Sequence, residues 1–326
     1  MTIPERFLNK IVCGDCLTLM KELPDESVDC VITSPPYWGL RDYGVSGQVG
    51  LENTLEEYVG KLVSLFGEVK RVLKKEGTIW LNLGDSYAGS NCGSNDHREE
   101  GASLSKSDEK YKGQRPGLPE GLKPKDLVGI PWRVAFALQA EGWFLRQDII
   151  WSKPNPMPES MTDRCTKSHE YVFLLAKSAK YFFDGEAIKE PFVSNNNTKS
   201  KGTRGKLRTT GARNGDRDFS GGFPYPENGR NKRSVWTINT KPFGGAHFAT
   251  FPEELIKPMV LAGCPVGGIV LDPFMGAGTT SVVAKRLGRN FIGMELNPDY
   301  CKIAEERLKS VMPMNALKKW EKGKSL

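Results

Sequence analysis

Two short segments at opposite ends of the chain, each directly behind a run of buried-strand character, constrain the fold more than any other feature. Val28-Asp29-Cys30-Val31-Ile32-Thr33 is nearly continuous in apolar and β-branched residues, the pattern of a strand covered on both faces of a parallel sheet, and it stops at Ser34-Pro35-Pro36-Tyr37. Gly268-Ile269-Val270-Leu271-Asp272 repeats the pattern and runs into Pro273-Phe274-Met275-Gly276-Ala277-Gly278-Thr279-Thr280. There the glycines let backbone approach a ligand, and the two threonines open a helix whose free N–H groups face it. Open α/β sheets bind ligands outside the carboxyl ends of their strands, so both segments become site candidates.

The remaining pattern is that of an α/β domain. Residues 10–13 form a short strand candidate, and 17–23 a helical turn closed by Pro24. Tyr58, Leu62, Leu65, Phe66, Val69 and Val72 recur at three and four, predicting a helix over 55–73 that ends near Lys74-Lys75-Glu76-Gly77. A strand is predicted at 78–83, a helix at 127–141 and a strand at 143–151. A hairpin is predicted from 170–176 and 181–183. Helices at 252–262, 279–287 and 298–309 alternate with strands at 268–272 and 290–295. This last part offers two strands where a ligand-binding half of a doubly wound sheet has three, so residues 10–13 are predicted to supply the third. The domain is then split in sequence and joined in space.

A chain of 326 residues is long enough to bury such a sheet between helix layers. No stretch is apolar enough to span a bilayer and the first residues lack a signal-peptide core, so a cytoplasmic location is expected. Seven scattered cysteines suit a reducing compartment. Cys13-Gly14-Asp15-Cys16 has metal spacing, but it lacks a second pair and the three histidines lie far apart, so no metal is expected. The formal charge of +7 is concentrated. Lys199, Lys201, Arg204, Lys206, Arg208, Arg213, Arg217, Arg230, Lys232 and Arg233 face only Asp216, Asp218 and Glu227, in a setting of Gly, Asn and Thr suited to neutralising phosphates. Two nucleotide-site readings fail. The glycine loop lacks the last glycine of G-x-G-x-x-G and the lysine of a phosphate-binding P-loop.

Ser34-Pro35-Pro36-Tyr37 resembles the S-P-P-Y catalytic motif of DNA amino-methyltransferases that act on cytosine N4 or adenine N6. Phe274-Met275-Gly276-Ala277-Gly278 resembles their F-x-G-x-G loop for S-adenosyl-L-methionine, and the catalysis-first order resembles the permuted beta class. The resemblance covers roughly residues 10–309. It implies a Rossmann-like S-adenosylmethionine-dependent methyltransferase fold, a circularly permuted mixed seven-stranded sheet with an inserted basic target-recognition region. It also implies that Asp15, Phe251, Asp272, Pro273, Phe274, Gly276, Gly278, Thr279, Thr280, Glu295 and Asn297 hold the cofactor. In that view Asp15 meets the adenine amino group, Glu295 the ribose hydroxyls and Phe251 the methionine side.

An exocyclic amino group is a poor nucleophile because its lone pair is delocalised into the ring. A catalyst must accept its hydrogens and align it with the methyl donor. The Ser34 hydroxyl and Pro35 carbonyl are candidate acceptors, Pro35 and Pro36 keep the backbone rigid, and Tyr37 offers a face for a base rotated out of the duplex. Trp38, Lys153, Asn155, Arg204, Lys206, Arg208, Arg213 and Arg217 are candidate DNA contacts, with Tyr43, Arg41 and Asp42 open beside them. Within the family, serine at the first motif position accompanies cytosine N4 methylation. Adenine N6 stays open as an alternative, and a catalytically idle DNA-binding homologue as a third reading.

The expected organisation is a catalytic half at 1–190 with a mobile loop at 86–125, a target-recognition insertion at 191–234, a cofactor half at 235–312 and a basic tail at 313–326. The expected partners are double-stranded DNA and a restriction endonuclease encoded nearby, with no membrane. Monomer and homodimer both remain open.

Overall fold

The computed structural model describes residues 2–40, 44–89, 118–191, 229–241 and 251–311. Its centre is a sheet of eight strands. In chain order these are β1 (Lys10–Cys13), β2 (Val28–Thr33), β3 (Leu73–Leu83), β4 (Phe144–Ser152), β5 (His169–Ala176), β6 (Val235–Thr237), β7 (Ile269–Asp272) and β8 (Asn290–Glu295). Their spatial order is β1-β8-β7-β2-β3-β5-β4-β6. The first five neighbours pair in parallel, β5 is antiparallel to both β3 and β4, and β6 runs parallel to β4.

The first strand joins the last. Lys10 pairs with Ile292 and Cys13 with Glu295, so the third strand on the glycine-loop side of the sheet does come from the amino-terminal end.

Among the described residues six α-helices cover the sheet: α1 (Cys16–Met20), α2 (Leu55–Val72), α3 (Ile130–Ala140), α4 (Glu253–Gly263), α5 (Thr279–Arg286) and α6 (Pro298–Lys309). Alternation along the strands shows why both faces need cover. Val31 of β2 enters the core with Leu62, Phe66 and Leu138 on one face, while Cys30 and Ile32 enter the core with Leu255, Met259 and Val283 on the other. Ile79 and Leu81 of β3 divide from Trp80 in the same way. Each such large side chain, fully buried, contributes about 1.5–3 kcal/mol. At the start of α2, Thr54 Oγ1 accepts the Glu57 N–H at 3.1 Å and Glu57 Oε2 accepts the Thr54 N–H at 3.3 Å. This capping box stabilises the helix by about 1 kcal/mol.

Four expectations are corrected. The sheet has eight strands rather than seven, because Val235–Thr237 adds an edge strand beside β4. β5 forms its hairpin with β4, and Tyr181 to Phe183 is not a strand. Those aromatics are used differently: the Phe182 N–H bonds Glu76 O at 2.8 Å and Phe183 stacks on Trp80 with ring centroids 6.2 Å apart. The third helix begins at Ile130 rather than 127, because Val128 is tied to the Ser86 carbonyl and Gly129 adopts φ +76°. α2 passes straight into β3 at Leu73, so the expected break at 74–77 is strand.

Most of the loop at 86–125 lies outside the described residues. Its described ends are joined where Ala88 N–H bonds Asp126 O at 2.7 Å and Lys125 N–H bonds Ala88 O at 2.8 Å. Among the described residues no helix is long and apolar enough to cross a membrane, and no group of three His, Cys, Asp or Glu is arranged to hold a metal.

Candidate active site

The strand directions collect the candidate residues on one edge of the sheet. The carboxyl ends of β1, β8, β7, β2, β3 and β4 reach that edge, and antiparallel β5 begins there. Asp15, Glu295, Asp272, Ser34, Gly84, Glu170 and Lys153 therefore stand along one edge, each at or just beyond a strand end. The seam between the two sequence segments is a direct bond: Thr33 Oγ1 donates to Asp272 Oδ1 at 2.7 Å, both side chains buried.

On the β1-β8-β7 side, acidic side chains hold main chain. Glu295 accepts the Gly276 N–H on Oε2 and the Asn297 N–H on Oε1, both at 2.8 Å, joining the glycine loop to the start of α6. Burial raises the pKa of Glu295 against these bonds. Asp15 caps α1, its Oδ2 accepting from Thr18 N at 2.8 Å and Thr18 Oγ1 at 2.7 Å. Asp272 also accepts the Phe274 N–H at 3.1 Å. Burial pushes the Asp272 carboxyl up to about 6, opposed by the Thr33 hydroxyl and the Phe274 amide. Even so, Asp272 Oδ2 and Thr280 Oγ1 are buried without a hydrogen-bond partner among the described residues.

The glycines here have separate jobs. Gly276 at φ +53° has no described heavy atom within 4 Å of where a Cβ would stand. Gly278 at φ +80° would bring a Cβ to 2.7 Å from the Ala304 Cβ, so it lets α6 approach. No described side chain caps α5. Thr279 and Asn297 have structural partners: Thr279 Oγ1 accepts from Arg307 at 3.1 Å, and Asn297 Oδ1 caps α6 through the Asp299 N–H at 2.9 Å. Pro273 is buried, while Phe274 and Phe251 are partly buried and packed on the two cores.

On the β2-β3-β5-β4 side, side chains hold side chains. Tyr37 Oη donates to Glu170 Oε2 at 2.8 Å, lies 3.3 Å from Asn82 Oδ1, and is 3.4 Å from Ser34 Oγ. Glu170 Oε1 receives Lys153 Nζ, which also sits 4.3 Å from the Trp151 ring centroid. Burial, then the charge of Glu170, raises the Tyr37 phenol well above its usual pKa. Beneath the ring, a Cβ on Gly84 would lie 2.5 Å from Tyr37 Cε2, so glycine is required for the ring to pack there. The proline turn is braced behind, where Tyr58 Oη donates to Pro36 O at 3.0 Å; Pro35 is buried.

Of the candidate DNA contacts, Trp38 is buried and Lys153 and Asn155 are engaged by protein partners. Trp38 is 5 % exposed, with its indole N–H donating to Glu52 O at 2.9 Å, so it is a core residue under the loop and not a surface contact. Lys153 is drawn inward by Glu170 rather than standing free on the rim. Asn155 is exposed, but its amide is engaged with the Thr240 backbone in both directions, at 3.0 and 2.9 Å. Arg204, Lys206, Arg208, Arg213 and Arg217, like Arg41, Asp42 and Tyr43, lie outside the described residues.

Motif reading missed Glu170 and Asp85. Asp85 Oδ1 accepts N–H groups of Ser86, Gly129 and Ile130 at 2.9, 3.0 and 3.0 Å, fixing the start of α3 to the end of β3. The available signal was a carboxylate at each end of an apolar strand run. The cysteine pair is split: Cys16 is buried, its thiol pushed up to about 12 by burial, and Cys13 is exposed.

Comparison with known proteins places the chain in a family. Residues 28–306 match the N6/N4 methyltransferase family model, described as DNA methylase. The type II methyltransferase M.Cfr9I of Citrobacter freundii is 50% identical over 295 residues, 90% of this chain and 86% of that protein. M.SmaI of Serratia marcescens is 47% identical over 303 residues, 92% and 90% of the two chains. Among solved structures, the cytosine-N4-specific PvuII DNA methyltransferase aligns with TM-score 0.60 at 20% identity, over 91% of this chain and 85% of that one. TTHA0409 of Thermus thermophilus, complexed with S-adenosyl-L-methionine, aligns with TM-score 0.57 at 24% identity, over 93% and 94%. The chain belongs to the N6/N4 DNA methylase family.

Proposed function

We propose that this chain transfers a methyl group from S-adenosyl-L-methionine to the exocyclic N4 of cytosine in duplex DNA, at one site sequence, by direct in-line transfer to a base turned out of the helix. The observation that carries the reading is Ser34: a short hydroxyl acceptor at the end of β2, at the seam where that strand meets the glycine loop through the Thr33–Asp272 bond. The PvuII enzyme, named as cytosine-N4-specific, shares the fold.

The residues on the β1-β8-β7 side fit the cofactor. The open space at Gly276, the uncapped start of α5 and the partnerless Asp272 Oδ2 give room, N–H donors and a buried acceptor suited to a cationic amino acid moiety. Each Glu295 oxygen, although bonded to an amide, keeps a lone pair for a ribose hydroxyl, and Asp15 stands one strand away. When bound, the cofactor supplies an electrophilic methyl group. The chain then accepts hydrogens of the base amino group on Ser34 Oγ and the Pro35 carbonyl, which helps the nitrogen lone pair leave conjugation. Tyr37, pinned at its hydroxyl, offers a rigid ring for base stacking.

The basic segment 191–234 is the proposed target-recognition insertion between the two halves, supported by its run of arginines and lysines. A neighbouring restriction endonuclease and a cytoplasmic setting follow from the same reading, in keeping with the type II relatives.

The test uses labelled S-adenosylmethionine and unmethylated duplex DNA. Label is expected to enter DNA and to stay on the polymer through mild acid depurination, because a cytosine is not released. Label released with the purines would overturn the cytosine assignment, and label absent from DNA would overturn DNA methylation.

A further inference from the structure

Glu170 is the second residue of β5, just ahead of its apolar run, yet it anchors the hydrogen bonds behind Ser34. We propose that Glu170, held by Lys153, is a positioning residue that sets the direction of a hydrogen-bond chain through Tyr37 and so turns the lone pairs of Ser34 toward the base amino group. This deepens the methyltransferase reading and rests on it.

The direction follows from donor and acceptor chemistry. An ionised carboxylate only accepts, and Lys153 Nζ already occupies Glu170 Oε1, so Oε2 receives the single proton of Tyr37 at 2.8 Å. The Tyr37 oxygen is thereby left as an acceptor, and Ser34, at 3.4 Å, is the donor. With its proton committed to Tyr37, Ser34 Oγ presents lone pairs to the substrate. The opposite sense would aim its hydroxyl hydrogen at the amino nitrogen, holding the electron pair that must attack.

Asn82 enforces the same sense. Its Nδ2 donates to Tyr171 O at 3.0 Å, which turns Oδ1, a second acceptor, toward the Tyr37 hydroxyl at 3.3 Å. Burial keeps the phenol protonated, and the Lys153 ammonium pairs with the Glu170 carboxylate. The ends are far apart in sequence, with Tyr37 and Glu170 separated by 133 positions, so the chain exists only through β5 lying beside β3.

The experiment measures kcat, the KM for DNA and S-adenosylmethionine affinity for the full-length chain and its E170Q, Y37F, E170Q/Y37F and K153M/E170Q variants. The E170Q change keeps side-chain size but introduces an amide that can donate to the Tyr37 oxygen, reversing the chain. Each single change is expected to lower kcat about 10- to 100-fold, with DNA KM and cofactor affinity within a few-fold. The E170Q/Y37F double variant is expected to be no worse than the weaker single, because one chain is broken once. Additive losses would overturn the proposal, as would restored turnover in K153M/E170Q, which would mean that Glu170 merely neutralises the lysine. Should E170Q not fold, Y37F, lacking one hydroxyl, decides alone: unchanged kcat overturns the proposal. Unimpaired variants beside an active wild type overturn this inference only. A wild type that leaves DNA amino groups unmethylated overturns the parent reading.

Discussion

The two halves of the sheet edge are built in opposite ways. On the proposed cofactor side Asp15, Asp272 and Glu295 take backbone amides two to nineteen positions away, so acidic side chains shape loops. On the proposed catalytic side Ser34, Tyr37, Glu170 and Lys153 hold one another across the sheet, with little help from main chain. A loop held by its own main chain forms a site wherever its motif occurs. A network of side chains forms one only after distant strands pair. The cofactor half is therefore expected to bind its ligand independently of the catalytic half, while the catalytic half fails when any member is lost.

The largest effect expected from that division is at Ser34. Ser34→Ala should lower methyl transfer at least about 100-fold with S-adenosylmethionine affinity nearly unchanged, measured by label transfer and calorimetry. A parallel loss of affinity would erase the comparison. Glu295→Ala is the converse. It removes the brace of the Gly276 and Asn297 amides and should weaken cofactor binding about 10- to 100-fold, while turnover at saturating cofactor stays within a few-fold.

Asp272 sits on the seam and adds a pH signature. Its folded pKa of about 6 lies above the ordinary 3.8, so the folded chain takes up a proton that the unfolded chain releases. The stability given by the neutral form is full below about 3.8 and is lost as pH rises through about 6. A cationic ligand favours the ionised carboxylate, so cofactor affinity should rise about tenfold between pH 5 and 7, and Asp272→Asn should flatten both the affinity and the stability profile. An unchanged slope in the variant would assign the titration to another group.

The smallest effect is at Gly84. A methyl group there would displace the Tyr37 ring from its 2.5 Å approach, and Gly84→Ala should cost about threefold to tenfold in kcat with cofactor affinity intact. Equal loss in both quantities would show that the halves are mechanically coupled.

Legibility followed the same division. The buried strands 28–33, 269–272 and 290–295, the glycine loop and the joining of 10–13 to the cofactor side could all be read, because each depends on local pattern or on counting strands. Val235–Thr237 could not, since three residues with one buried side chain carry no periodicity. The aromatic run at 181–183 looked like a strand, but its Phe183 stacks on Trp80 of β3 instead. Trp38 shows a further limit. An aromatic beside a catalytic motif reads as a ligand platform, and only the Glu52 carbonyl in the folded chain identifies it as core. Glu170 was hidden because its meaning lies in partners beyond the ends of β2 and β4.

The most direct test of the central claim is nucleoside mass spectrometry of DNA from a methylation-free bacterial host expressing the chain. The account predicts N4-methylcytosine, absent when Ser34→Ala is expressed instead. N6-methyladenine in its place would contradict the assignment of Ser34 to a cytosine amino group.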